Sequence, residues 1–112
     1  MIEISTMAAQ GDVLFRRIAR LPSSAVMQAT GGRVIVAHSE TGHHHAVDDG
    51  GVRYFSEPGR PTVAYLAIDG EFADVVHHRP YDTHETLRLT KGFWEVRRQR
   101  EWTPEGGQIV SD

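Results

Sequence analysis

Gly42-His43-His44-His45 places three imidazoles in a row in a chain that has seven histidines and no cysteine. Side chains on a β-strand alternate between faces, so on a strand His43 and His45 share one face and His44 takes the other. Two imidazoles on one face make a chelating pair, and imidazole is the commonest protein ligand for transition metals. One or two more nitrogens or carboxylates from a neighbouring strand would complete a coordination sphere. A second histidine group, His77, His78 and His84, supplies candidates. The expected ligand set is His43, His45, one of His77 and His78, and His84. Neighbours His77 and His78 fall on opposite faces of an extended strand, so only one joins; His78 is favoured because it lies nearer the following loop. His84 shares parity with Thr86 and Arg88, while Leu87 and Leu89 occupy the other face, which suits a ligand at a polar rim. Glu40, Asp82 and Glu85 are the candidate oxygen ligands and catalytic bases, or partners that accept the second ring N–H of a ligating histidine and fix its tautomer.

Without cysteine there are no disulfides, thiolate zinc sites or cysteine nucleophiles, so nitrogen and oxygen must hold any cation. Zinc, iron, manganese or nickel is the expected divalent ion. Three neutral imidazoles leave the ion its full charge and an open position, where a bound water loses a proton more easily or a small molecule binds. Zinc there favours hydrolysis or lyase chemistry, and Fe(II) favours dioxygen chemistry. Closure by a fourth histidine makes a structural or storage site instead. The competing interpretation is a polar strand of structural or pH-sensing histidines, and His38, in neither group, is expected to be structural.

A length of 112 residues bounds the chain to one domain with a modest core. The formal charge of −3 removes the whole-protein electrostatic case for nucleic acid or an anionic membrane, both of which want a positive field. Arg97, Arg98 and Arg100 with Trp94 and Trp102 form a basic and aromatic segment able to stack on bases, but Glu95 and Glu101 dilute it. Arg16, Arg17 and Arg20 extend it only if the first and last strands are neighbours. No apolar run approaches the roughly 18 residues of a membrane span, and MIEISTMAAQ lacks the features of a signal peptide. A soluble, cytoplasmic protein with no membrane partner is expected. No phosphate-binding glycine loop or nucleophile elbow occurs.

Glycines punctuate short segments rich in Val, Ile, Tyr, Phe and Thr, the composition of antiparallel strands. Strands are expected over 12–18, 26–29, 33–38, from the histidine run to Val47, over 52–55, 62–68, 72–77, 84–89 and 93–102. Thr30-Gly31-Gly32, Asp48-Asp49-Gly50-Gly51 and Thr90-Lys91-Gly92 read as hairpin turns, as does Asp69-Gly70. Residues 62–68 are so uniformly apolar that they should be buried on both faces. The chain is therefore expected to be a single all-β domain over 1–112, an antiparallel barrel or jelly roll, with loosely ordered ends at about 1–9 and 103–112.

With His43-x-His45 after a glycine-bounded turn, the chain resembles a short single-domain cupin, although Asp48 or Asp49 stands where that family has glutamate. Gln10-Gly-Asp-Val-Leu14, Thr41-Gly-His-His-His45, a later pair of histidines and Val96–Trp102 resemble, from Gln10 to Pro104, a family of small uncharacterised proteins of bacterial genomes and prophages. The first resemblance implies a cupin-like metal-binding barrel and a homodimer; the second implies the grouping of His43, His45 and His84. Two functions are expected from these readings. The first is a metal-binding protein, an enzyme acting on a small molecule. The second is a non-enzymatic, prophage-associated module that binds a protein partner through a strand edge.

Overall fold

The computed structural model describes residues 2–30, 34–38, 44–47, 51–78, 86–98, 100–103 and 106–109. Its elements are β1 (Ile2–Ile4), β2 (Met7–Gln10), β3 (Val13–Ile18), β4 (Val26–Thr30), β5 (Val34–His38), β6 (His44–Val47), β7 (Val52–Ser56), β8 (Val63–His78), β9 (Leu87–Arg98), β10 (Arg100–Thr103) and β11 (Gly106–Ile109). Nine form one sheet whose path runs β2-β3-β9-β8-β6-β5, with β1 beside β9, β7 beside β8 and β4 beside β7; β10 and β11 pair separately. Every pairing is antiparallel except β1 with β9. Among the described residues no helix is long and apolar enough to cross a membrane.

The tight turn at Gly11-Asp12 joins β2 to β3, with Gln10 opposite Val13 and Gly11 at φ 60°, a conformation glycine adopts without penalty. The spine of the sheet is the β8–β9 pair. Ile68 lies opposite Gly92 and Phe72 opposite Thr90, with a register shift between them, so β8 carries two more residues than β9 across this step and the ribbon bends. Buried positions change parity there, from Ala64, Leu66 and Ile68 to Ala73 and Val75 in β8, and from Val96 and Trp94 to Leu89 and Leu87 in β9. The ribbon thus presents opposite faces to the core on the two sides of the bend. One apolar cluster gathers these residues with Val13, Phe15, Val47 and Val52.

A second cluster, Phe55, Val63, Tyr65 and Ala67, lies on the other face of the first half of β8, with Ile18, Leu21, Ala25 and Phe93 packed on it. The whole run Val63–Ile68 is buried, as its uninterrupted apolar composition requires. The second half of β8 has one buried face only: Phe72 is exposed, and Asp74 and Val76 are half-buried.

Several expectations need correction. The expected barrel or jelly roll does not close: among the described residues β1, β2, β4 and β5 each pair with one strand only, so the sheet keeps open edges. The core forms instead where the bent β8–β9 ribbon turns its apolar positions inward. The Asp48–Gly51 turn does not make a hairpin of β6 and β7; both pair with β8, along its second and first halves. Likewise β4 pairs with β7 and not with β5. Asp69-Gly70 and Thr90-Lys91-Gly92 lie inside continuous strands, since glycine in a strand marks a bulge as readily as a turn.

Candidate metal centre

β6 lies between β5 and β8, and its register decides which histidines meet. His44 is opposite His78 and His45 is opposite His77; across the other edge of β6, His38 is opposite His44. Five of the seven histidines therefore occupy one block at one end of three neighbouring strands. Residues directly opposite share a face and lie about 5 Å apart, close enough for their side chains to interact.

The block has two sides. Val47 and Val75 are opposite one another and fully buried. Counting by two places His45 and His77 on that same face, as the continuation of the core. His44, His78 and His38 occupy the reverse face. On β8, position 77 is the one opposite His45, and position 78 the one opposite His44. His43 has the parity of His45 but lies outside the described residues, as do His84, Glu40, Asp82 and Glu85. Among the expected ligands, His45 and His78 are thus placed, in adjacent strands but on opposite faces.

The core side of the block is tied down from a distant strand. The Gln10 side-chain amide donates to the Val75 carbonyl at 3.0 Å, so the end of β2 fixes β8 two residues before His77. A buried amide–carbonyl bond of this kind contributes about 1 kcal/mol, and leaving the carbonyl without its donor costs about 1–3 kcal/mol. Next to Gln10 in the chain, Asp12 lies 3.7 Å from the Arg98 guanidinium, with the carboxylate side chain 1 % exposed. On the outer side, Arg88 grips Asp74 through two hydrogen bonds of 2.8 and 3.1 Å and stacks 3.7 Å above the Phe72 ring.

Position 77 was legible in the sequence. Ala73, Val75 and His77 form one alternating series and His43, His45 and Val47 another, and matching the two valines predicts the pairing of 45 with 77. His38 had no such signal, because its pairing with His44 follows a register shift between Ile35 and Ala37. No group of three or more His, Cys, Asp or Glu side chains able to hold a metal occurs among the described residues.

The basic segment of β9 does neighbour β3, with Arg16 opposite Glu95 and Arg17 opposite Trp94. Part of its charge is paired, however. Glu95 accepts from Arg97 Nε at 2.7 Å and from Arg16 Nη2 at 3.3 Å, so one carboxylate, only 10 % exposed, holds both cations in a shallow depression floored by Leu14.

Residues 9–99, most of the chain, match a family described as Domain of unknown function (DUF8820). No curated protein and no solved structure matches the chain.

Proposed function

We propose that this chain, which belongs to the Domain of unknown function (DUF8820) family, is a metal-binding protein that holds a divalent transition ion on the core side of its histidine block. His45 and His77 supply two ligands, and His43 and His84 are the further ligands the sequence suggests. The observation that carries the reading is the placement of His45 directly opposite His77, in line with the buried pair Val47 and Val75. Apolar neighbours limit water on one side of such an ion and strengthen its hold on oxygen ligands. Zinc, iron, manganese and nickel all accept a nitrogen-rich set. An open position would bind a small molecule or activate a water, with Glu40, Asp82 or Glu85 as base. An open sheet carries these histidines, so the reading rests on strand register and not on a cupin barrel.

The test is metal content of the full chain purified without an affinity tag. Replacing both His45 and His77 by Ala is expected to remove one equivalent of metal per chain while the circular dichroism of the sheet is kept. Unchanged metal content in the folded double variant would overturn the reading.

A second reading, a prophage-associated interaction module, has its own support. β4 pairs only with β7 among the described residues, and Val26 and Met27 on it are 47 % and 53 % exposed. Such an edge accepts an added strand from a partner. Under that reading Met27→Lys abolishes partner capture and leaves metal content untouched.

A further inference from the structure

One edge of the sheet changes partners at Ser5-Thr6, and a cleft opens where it does. β1 runs beside β9 at Leu87–Leu89, whereas β2 runs beside β3, with Met7 opposite Arg16. β3 itself ends against β9 at Ile18, opposite Phe93. The edge therefore steps across the end of β3, and the Arg17 amide ties it there by donating to the Thr6 carbonyl at 2.8 Å. The cleft left at this step has a volume of about 470 Å³ and is lined by residues 5–7 and 16–19. We propose that it binds a small amphipathic anion: an oxyanion head, carboxylate or phosphate, carried on a short apolar chain.

The chemistry of the lining selects that class. Arg16 and Arg17 line the cleft, and among the described residues no carboxylate does. Each guanidinium is anchored through one nitrogen. Arg16 Nη2 reaches Glu95 at 3.3 Å, and Arg17 Nη1 donates to the Thr90 hydroxyl at 2.9 Å. Arg17 can lie there because residue 92 is glycine; a Cβ at that position would fall 2.8 Å from Arg17 Nη2. Such anchoring removes side-chain freedom that an anion would otherwise have to freeze, and it leaves each guanidinium further N–H groups for an oxygen. Arg17 touches no carboxylate among the described residues, and Arg16 shares Glu95 with Arg97. Three positive charges thus stand against one negative charge, in a chain whose formal charge is −3, and this local excess favours an anion.

The rest of the lining fixes the other half of the ligand. Met7 is 56 % exposed, and half-buried Ile18 and exposed Ala19 continue the apolar wall. Small-molecule sites characteristically join an apolar wall to a few polar groups that set orientation. A bare inorganic ion would leave that wall wet, whereas a short run of methylenes covers it.

Backbone amide NMR of the full chain, with acetate, butanoate, hexanoate, hexyl phosphate and hexan-1-ol as probes, tests the proposal. Hexanoate and hexyl phosphate are expected to shift the amides of residues 5–7 and 16–19 saturably. Affinity should rise about two- to fourfold per methylene from acetate to hexanoate, and hexan-1-ol should bind about tenfold more weakly than hexanoate or worse. The tighter of hexanoate and hexyl phosphate identifies the head group, and either order supports the assignment. Arg16→Gln and Arg17→Gln should each weaken hexanoate binding about tenfold in chains that keep the native circular dichroism. No saturable shifts, shifts centred elsewhere on the sheet, equal affinity for acetate and hexanoate, or equal affinity for hexanoate and hexan-1-ol would each overturn the proposal, and all four are read on the unmutated chain. β9 and β8 separate β3 from β6, so replacing His45 and His77 should leave hexanoate binding unchanged. Failure of the metal reading therefore leaves this one standing, and the converse holds.

Discussion

Tyr65 shows how a single side chain on β8 is held on both its apolar and polar ends. Its ring is 3 % exposed within the second core cluster, while its hydroxyl donates to Glu57 at 3.0 Å and Ser24 donates to the same oxygen at 2.9 Å. Burial pushes the Tyr65 phenol above its ordinary value, and the hydrogen bond to Glu57 and the charges of Glu57 and Glu95 push the same way. Burial alone raises Tyr54. Both groups are neutral in the fold and ionise more readily once unfolded. Their contribution to stability is therefore complete below the unfolded value of about 10 and is lost as pH rises through the folded values. A phenolate absorbance titration should show one late-ionising tyrosine fewer in Tyr65→Phe than in the native chain, and none in denaturant; three ordinary tyrosines in the native chain would contradict this account. At this scale the sequence spoke through parity. The alternation of Val75 with His77 and of His45 with Val47 contained the pairing of 45 with 77, whereas the pairing of His38 with His44 depended on an irregularity in β5 that residue types do not announce.

The bend in the β8–β9 ribbon decides what those residues can do, because it sends the first half of β8 to β7 and the second to β6. Gly92 sits at this bend with φ +135°, and a Cβ there would fall 2.8 Å from Arg17 Nη2. The guanidinium can move aside, but the backbone conformation remains one that other residues adopt only with strain of about 1–3 kcal/mol. Gly92→Ala should lower the unfolding free energy by an amount in that range, read as a lower urea midpoint with the slope unchanged, and it should weaken zinc binding, since both histidines of β8 lie beyond the bend. A variant as stable as wild type would mean that the bend is not set by Gly92. The same glycine read as a turn in the sequence, and for a local reason: Thr90-Lys91-Gly92 has the composition of a hairpin loop, and only pairing with Ile68 and Phe72 of a distant strand makes it a kink in a continuous strand instead.

Over the whole molecule, an ion that binds the folded sheet and not the unfolded chain must stabilise the fold, by about 2.7 kcal/mol at a hundredfold excess over the dissociation constant. For a chain of this size that is a rise of roughly 10 °C in the melting temperature. Zinc should produce it, a chelator should reverse it, and the effect should vanish when His45 and His77 are both replaced; a melting temperature indifferent to zinc and chelator would remove the metal from the function. What the amino-acid order determined by itself was the all-strand character, the doubly buried run at 63–68, and two histidine groups free of cysteine. These follow from composition and from alternation over a few residues, which local physics governs. The tertiary structure alone decided that the sheet stays open, that β6 and β7 flank one long strand, and that His38 joins His44 and His78. Those outcomes depend on pairings between strands far apart in the chain, whose register is set by where the two apolar clusters can both be buried.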